Sequence, residues 1–486
     1  MNPSSTISAL KWNIADQSIN QAIGFVVNLW LLRLLEPEIF GLYAIPFVLF
    51  TLLRTLQDMG TTHIFFTAKA TDYPLARVVF GFVLVCSAVF VIPAWVWGKS
   101  FILFFGGSER AMGILNALLI CFLMSGFGMT QESMLRKTMQ FRTLFFINTT
   151  ATLISSIIGL YLAFRGHALA SLIWKALIFT AICNGGFYIY TSQLKRPSFD
   201  FRSLKSHLGF TLPMVVDQFS SFLSRNVDSL FVGRFLGMEA LGIYDRAYKF
   251  LTLPMQQVGG TVAKVLLPSL SNRSDDDLKN ELMLKSIGMS TMVIAPLMFG
   301  LAVLATEFTE IIMTEKWLGM VPLLIVFSLL ACFQSVSILM ANLFIVKGKS
   351  RTMMIFGLIT KGIYLLIFYY TTAVLGNLNA LVYWYACASV LSTFIFWYLS
   401  GKSSGLKLKA VVTVFLEVMF PAVLMAVLIY FLKSTVLPVS SIWSLLVLTL
   451  LGASFYFGYL KIFAHPYLDE LGRIIKTGTK AGENRI

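Results

Sequence analysis

Apolar runs of about 20 residues, separated by short polar stretches, follow one another along almost the whole chain. A helix of about this length is needed to cross a hydrocarbon core roughly 30 Å thick. The pattern therefore predicts an all-α polytopic membrane protein with about 14 transmembrane helices, or at least 12. The expected spans are 14–34, 40–59, 76–97, 112–130, 143–164, 167–190, 208–231, 241–267, 286–310, 321–346, 352–375, 380–400, 410–432 and 441–463.

One pattern of polar residues occurs twice in the chain, and its second copy follows the first by 201 positions. A repeat of this kind in a hydrophobic chain is typical of transporters built from two similar halves. We therefore predict that helices 1–6 and helices 7–12 form two pseudo-symmetric lobes around a central polar cavity. The first copy consists of Asp16, Gln17, Arg33, Glu38, Gly41 and Tyr43, and the second of Asp217, Gln218, Arg234, Glu239, Gly242 and Tyr244.

The repeat also predicts how the chain is divided. The loops on the predicted outer side are too short to hold a catalytic site, which argues against a membrane enzyme of glycan assembly, and we expect no enzymatic activity. The expected parts are an N-terminal six-helix lobe at 1–192, a basic cytoplasmic linker at 193–207, a C-terminal six-helix lobe at 208–400, additional helices 13 and 14 at 401–464, and a cytoplasmic tail at 465–486.

Composition and charge agree with a membrane protein. Only 13% of the residues are charged, whereas a soluble domain carries roughly 25%. The net charge is +15, but on the predicted topology 24 of the 38 Lys and Arg residues lie on the side that holds both termini and seven on the other. Because basic loops stay in the cytoplasm, we expect both termini to be cytoplasmic and no nucleic-acid partner.

No metal site or cofactor is predicted. The four histidines are isolated, and the five cysteines lie within apolar runs without the spacing of metal ligands. There is also no phosphate-binding loop. The acidic run Asp275-Asp276-Asp277 resembles a metal-binding motif of glycosyltransferases, but Ser274 precedes it. We therefore interpret the run as the start of a helix that Ser274 caps.

Four predicted helices carry polar residues three or four positions apart, which places them on one helical face. These helices are the first, second, seventh and eighth, so they come from equivalent places in the two predicted lobes. We expect their polar faces to line the shared cavity. The predicted substrate-binding residues are Gln17, Asn20, Arg54, Gln218, Ser221, Arg225, Lys249, Gln256 and Lys361, and the acids predicted to couple an ion or pair with these cations are Asp58, Asp217, Asp228 and Asp245.

Two interpretations of the charged residues remain open at this point. A charged side chain at mid-membrane costs about 2.5–3.5 kcal/mol on insertion scales, so such residues need partners or a function. Arg54 with Asp58 and Arg225 with Asp228 have the spacing of ion pairs along a helix, and Asp245 is placed to pair with Lys249. Alternatively, the cations bind an anionic head group, for which the planar donors of Arg match phosphate oxygens.

Several runs resemble a known family, the polysaccharide transporters related to O-antigen and colanic-acid exporters. This family belongs to the multidrug/oligosaccharidyl-lipid/polysaccharide (MOP) flippase superfamily. The resemblance covers about the first 270 residues and is carried by Arg33 through Tyr43, by Gln131-Glu132 through Arg142, by Arg225-Asn226-Val227-Asp228 through Tyr244, and by Leu267-Pro268-Ser269.

The resemblance implies a flippase that carries polyprenyl-pyrophosphate-linked oligosaccharides across the bacterial inner membrane by alternating access. Such a protein serves the synthesis of exopolysaccharide, capsule or O-antigen, and its partners are the lipid-linked glycan, membrane lipids and other polysaccharide-assembly membrane proteins. The alternative is a cation-coupled multidrug or small-molecule antiporter of the same superfamily, which should show unpaired acidic groups in its cavity. The energy source is left open by the sequence.

Overall fold

The computed structural model describes residues 3–58, 73–191, 194, 196–201, 205–271, 275–436, 439 and 441–462. Within these ranges, the side chains of residues 3–7, 10, 205–217, 221, 223–224, 261, 264–265 and 268 are not described. The described residues form helices and short connections, and they contain no β-strand.

The first six helices follow one another with short connections, except between α2 and α3, where residues 59–72 lie outside the described part. The turn after α4 places Met139 at a positive φ of 59°. The helices are α1 (Pro3–Leu34), α2 (Pro37–Asp58), α3 (Tyr73–Phe104), α4 (Ala111–Lys137), α5 (Phe141–Phe164) and α6 (Ala168–Tyr190).

A long helix, α7 (Lys205–Pro254), bends at Gly237, whose φ of 89° and ψ of 176° are not helical. Only glycine adopts such angles without strain. The bend divides α7 into a first limb, 205–236, and a second limb, 238–254. A π-helical turn at Met255–Gly259 joins the second limb to α8 (Gly260–Ser271).

The remaining helices begin at Asp276, where Asp275 is the N-cap and accepts a hydrogen bond from the backbone N–H of Asp277. The predicted N-terminus is therefore confirmed, but the capping residue is Asp275 rather than Ser274. A π-helical turn and a 3₁₀ turn follow the short α10 before α11 begins. The helices are α9 (Asp276–Val303), α10 (Ala305–Phe308), α11 (Val321–Val346), α12 (Ser350–Tyr369), α13 (Leu378–Ser404), α14 (Leu408–Thr435) and α15 (Ile442–Ile462).

The number of long helical segments agrees with the apolar pattern. Within the described residues, 11 helices are long and apolar enough to cross a membrane. Adding α1 and the two limbs of α7, which correspond to the predicted helices 1, 7 and 8, gives the predicted fourteen. The all-α polytopic fold is thus confirmed.

The chain separates into two compact units, Met1–Gly242 and Ile243–Ile486. The lobes and linker predicted from the repeat, with their boundary at 193–207, remain a prediction. Each unit has its own core of buried apolar side chains.

In the first unit, α5 packs between α1 and α6, and α4 packs on α2, α3 and α6. A buried polar network joins three of these helices. The Gln57 side-chain amide donates to the Ser87 hydroxyl (2.6 Å), and the Ser125 hydroxyl donates to the Gln57 amide oxygen (2.9 Å). Because each polar atom in this network is paired, the network fixes α2 against α3 and α4 without leaving an uncompensated group in the bilayer.

In the second unit, α9 packs between α11 and α14, while α15 packs on α14. Several polar contacts join the helices of this unit. The Tyr456 hydroxyl donates to the Met292 carbonyl (3.0 Å), and the Trp397 indole N–H donates to the Ser337 hydroxyl (3.1 Å). In addition, the Lys433 ammonium on α14 pairs with the carboxylate of Glu307 on α10 at 2.8 Å.

Candidate functional site

A cavity of about 510 Å³ lies among α1, α2, α4, α5 and α6 of the first unit. Its lining is unusually polar for the interior of a membrane-spanning bundle. Every one of the five helices contributes at least one polar or charged side chain. The lining residues are Asp16, Gln17, Asn20, Gln21, Arg54, Met129, Glu132, Asn148, Thr152, Phe179, Thr180, Cys183, Asn184 and Phe187.

Asp16 on α1 lies between two amide donors. The side-chain amide of Asn20, one turn further along α1, donates to Asp16 Oδ1 at 2.7 Å. The side-chain amide of Asn148 on α5 donates to Asp16 Oδ2 at 3.1 Å. Charged acceptors form the stronger hydrogen bonds, so these two amides hold the carboxylate in one orientation at the cavity wall. They also connect α1 to α5.

Two further charged side chains line the cavity, a cation from α2 and an anion from α4. Arg54 lines it from α2, and Glu132 lines it from α4. The Arg136 guanidinium, one turn after Glu132, donates to Glu132 Oε1 from Nη2 (2.7 Å) and from Nε (3.0 Å). The lining therefore holds two carboxylates and one guanidinium, with a second guanidinium bound to Glu132. The charge of the lining is therefore mixed.

Uncharged amides and hydroxyls complete the wall. Thr152 donates to the carbonyl of Asn148 (2.8 Å), and Asn184 donates to the carbonyl of Thr180 (2.7 Å). Asn20 Oδ1 is buried without a hydrogen-bond partner among the described residues. Groups of this kind donate to and accept from the hydroxyls of a sugar, while the rings of Phe179 and Phe187 supply apolar surface.

Gly128 on α4 explains why Asn184 lies at the cavity. A Cβ at position 128 would overlap the side chain of Asn184, with 2.7 Å to its Cβ. A Cβ on Gly126 would similarly lie only 2.6 Å from the hydroxyl oxygen of Ser87 in the buried polar network. Small residues let membrane helices approach closely, so the two glycines of α4 bring α3 and α6 against it.

Three of the predicted binding residues, Gln17, Asn20 and Arg54, line this cavity. On the first limb of α7, Gln218 is half-buried and Arg225 is exposed. The side chains of Ser221 and Asp217 lie outside the described residues. Asp228 is buried, with 6% of its surface exposed, and Asp58 is half-buried at the end of α2.

The other predicted residues belong to the second unit. Asp245 pairs with Lys249 at 2.9 Å and with Arg246 at 3.4 Å, so one carboxylate lies between two cations. The pairing of Asp245 with Lys249 that the spacing suggested is therefore observed. Gln256 is exposed on the π-helical turn, and Lys361 is exposed in the middle of α12.

Sequence reasoning missed most of the cavity. Asp16 was recognised only as part of the repeat, and Glu132 only as part of a motif. The pairs Asn148/Thr152 and Thr180/Asn184 were not recognised. All four belong to polar pairs spaced by four residues inside apolar helices, and such spacing places both members on one helical face. A search for these pairs would have found them.

Comparison with known proteins identifies relatives among proteins of polysaccharide synthesis. The chain is 22% identical over 352 residues to the lipopolysaccharide biosynthesis protein WzxC of Escherichia coli (strain K12), covering 71% of this chain and 70% of WzxC. It is 27% identical to the teichuronic acid biosynthesis protein TuaB of Bacillus subtilis (strain 168), covering 50% of this chain and 51% of TuaB. It is 23% identical to the succinoglycan biosynthesis transport protein ExoT of Rhizobium meliloti (strain 1021), covering 64% and 63% of the two chains.

Two solved structures share the fold. The lipid II flippase MurJ in an inward closed conformation superposes with a TM-score of 0.73 at 15% identity, covering 94% of this chain and 100% of MurJ. An inward-facing multidrug resistance MATE transporter of the MOP superfamily superposes with a TM-score of 0.62 at 14% identity, covering 82% and 98%.

The family described as "Polysaccharide biosynthesis protein" matches residues 30–322, more than half of the chain. This match includes the motif from Arg33 to Tyr43 and its repeat up to Tyr244. The resemblance inferred from those motifs is confirmed. The chain belongs to this polysaccharide biosynthesis family, and it is a multi-pass membrane protein that shares its fold with a transporter of the MOP superfamily.

Proposed function

We propose that the protein translocates polyprenyl-pyrophosphate-linked oligosaccharide repeat units across the bacterial inner membrane by alternating access. The glycan would serve the synthesis of exopolysaccharide, capsule or O-antigen. The observation that carries the proposal is the polar cavity among five helices of the first unit. The names of WzxC, TuaB and ExoT, which connect these relatives to cell-surface polysaccharides, support the same substrate class.

The polar lining of the cavity reduces the free-energy cost of moving a glycan through a bilayer. A hydroxyl transferred from water to an apolar medium without a partner costs roughly 2–7 kcal/mol, and a sugar carries several. Amides, carboxylates and threonine hydroxyls at the wall replace the lost water. Asp16, held by Asn20 and Asn148, offers an oriented acceptor to a sugar hydroxyl.

The pyrophosphate requires cations. Arg54 is the guanidinium in the cavity lining, and its planar donors match two phosphate oxygens. Arg225 and Lys249 are the further cations proposed to contact the head group, while the polyprenyl tail stays in the lipid. The two predicted lobes then expose the site to one side of the membrane at a time, with both termini in the cytoplasm.

The test is flipping in proteoliposomes. A polyprenyl-pyrophosphate oligosaccharide is placed in the inner leaflet, and its arrival outside is followed with an impermeant glycan-modifying enzyme. Wild type is compared with Arg54→Ala and Arg225→Ala, and Arg110→Ala serves as the control because Arg110 is an exposed arginine between α3 and α4. We expect the first two variants to lose flipping and the control to retain it. If all three flip like wild type, the arginines do not bind cargo.

A second candidate function is cation-coupled export of small molecules. The observation that favours it is the presence of two carboxylates, Asp16 and Glu132, in a cavity that contains one lining guanidinium. This candidate predicts that a proton or Na⁺ gradient drives export of an organic cation. It also predicts that Asp16→Asn abolishes this export. Gradient-driven export without any glycan flipping would favour the antiporter over the flippase.

A further inference from the structure

The two copies of the repeated motif cross each other at their glycines. A Cβ on Gly41 of α2 would overlap the backbone carbonyl of Met238, and a Cβ on Gly242 would overlap the backbone carbonyl of Pro37. Met238 follows Pro37 by the same 201 positions by which Gly242 follows Gly41. The contact is therefore reciprocal, and the start of α2 and residues 238–242 of α7 meet as a local two-fold pair within the first unit.

The close approach, rather than helix geometry, requires glycine at these two positions. Neither glycine has a positive φ, so another residue could adopt its backbone angles. A Cβ on Gly242 would also lie 3.2 Å from the backbone nitrogen of Gly41, so the two glycines face each other. Backbones in such contact interact through Cα–H···O contacts, and no side chain of either glycine separates them.

The first limb of α7 is held by a similar contact just before the bend. A Cβ on Gly106, which follows α3, would overlap the carbonyl of Gly233. The bend at Gly237 lies between this contact and the crossing at Gly242. The chain from 233 to 242 is therefore fastened at both ends, with its one non-helical residue between them.

We propose that the Gly41–Gly242 crossing is a latch that closes one side of the transport path and must part in each cycle. The contact involves the backbones of Pro37, Gly41, Met238 and Gly242, and each glycine packs against a carbonyl of the other segment. It can therefore open and re-form without repacking large side chains. On the predicted topology, the crossing lies at the outer ends of the helices, so its parting opens the path outward. That the Gly41–Gly242 crossing must part during transport rests on the proposed function. That the glycines hold the crossing closed does not depend on that function.

The closure is tested by a distance measurement. Spin labels are placed on Glu38→Cys and Glu239→Cys, two exposed equivalent positions beside the crossing, in a Cys387→Ser background because Cys387 is the exposed cysteine of the described chain. We expect a short label distance in the parent and a longer one when Gly41→Ala or Gly242→Ala is added. Gly113→Ala is the matched control, since a Cβ there meets nothing within 4 Å.

The requirement to part is tested on the same double-cysteine protein without an alanine change. A reducible cross-linker joins positions 38 and 239, and flipping is measured before and after reduction. We expect flipping to stop on cross-linking and to return on reduction. An unchanged label distance in both alanine variants would overturn the latch, and so would unimpaired flipping by the cross-linked protein. A parent that flips no glycan contradicts the proposed function, while the label distances still decide whether the crossing is closed by its glycines.

Discussion

At the residue scale, polar side chains inside a membrane-spanning bundle need hydrogen-bond partners from the protein itself. Asp16 receives two amide donors from different helices, while Gln57 is fully paired in the buried network. The two environments differ in one respect. The Gln57 network is closed, whereas Asp16 borders a cavity with room for a ligand. We therefore assign a structural role to Gln57 and a binding role to Asp16.

Replacing Asn148 with Ala should impair transport. The change removes the amide that donates to Asp16 Oδ2 from α5. A hydrogen bond to a charged group contributes about 1.5–3 kcal/mol, so we expect the flipping rate to fall roughly tenfold or more. The rate is measured in the proteoliposome assay. Thr150→Ala, at an exposed position two residues further along α5, is the control, and equal rates for the two variants would remove Asn148 from the site.

Replacing Gln57 with Ala should instead reduce stability. Ser87 and Ser125 would each lose a side-chain partner in a fully buried place and keep only their hydrogen bonds to backbone carbonyls, and a hydrogen bond contributes about 0.5–1.5 kcal/mol to stability. The melting temperature of the purified protein in detergent should therefore fall, while Gln140→Ala at the exposed N-cap of α5 should leave it unchanged. A melting temperature equal to that of wild type would show that the network contributes nothing.

At the element scale, the apolar pattern located helices well but placed several of their ends wrongly. The expected span 143–164 agrees closely with α5 at Phe141–Phe164, and both end at residue 164. The span 76–97 corresponds to the longer α3, Tyr73–Phe104, which continues through Pro93. The span 286–310 corresponds to α9 at Asp276–Val303, whose first ten residues include six charged or polar ones. Helices extend beyond the hydrocarbon core, and hydropathy cannot detect that extension.

The candidate site was less predictable than the helices. Gln17, Asn20 and Arg54 were found because they follow the polar faces of α1 and α2. Asn148 and Asn184 were missed because each lies in a largely apolar helix, where scattered polar residues are usually structural. Only tertiary contact, including the approach permitted by Gly128, brings them to Asp16 and the cavity. Helical periodicity contains no information about which helices become neighbours.

The ion pair between Lys433 and Glu307 joins α14 to α10 and should stabilise the second unit. Lys433 and Glu307 are each 17% exposed by side chain and lie 2.8 Å apart. Removing one partner leaves the other charge without its counter-ion in a largely buried place. We expect Lys433→Met and Glu307→Gln each to lower the melting temperature more than the double variant does, with a coupling of roughly 1–3 kcal/mol. Additive effects in this double-mutant cycle would refute the pairing.

At the scale of the whole molecule, the charge distribution predicts the orientation of the chain in the membrane. The connection between α5 and α6 contains Arg165, and the connection between α13 and α14 contains Lys407; both side chains are exposed. The positive-inside rule places the first outside and the second in the cytoplasm. In a Cys387→Ser background, an impermeant thiol reagent added to intact cells should label Arg165→Cys but not Lys407→Cys. The reverse labelling pattern would invert the topology.

Membership in a family of polysaccharide biosynthesis proteins and a fold shared with a lipid II flippase are established by comparison. The central claim that remains to be tested is that the cavity of the first unit carries the glycan. The claim depends on the empty volume of the cavity as much as on its polar groups. A bulky side chain that fills this volume should therefore block transport even where no charge is changed.

The most direct measurement is glycan flipping by Thr152→Trp in proteoliposomes, compared with wild type and Ile157→Trp. Thr152 lines the cavity from α5, whereas Ile157 on the same helix is 65% exposed on the outside of the unit. We predict that wild type and Ile157→Trp expose the lipid-linked oligosaccharide to the external enzyme and that Thr152→Trp does not. Flipping at the wild-type rate by a folded Thr152→Trp protein would contradict the claim that the glycan passes through this cavity.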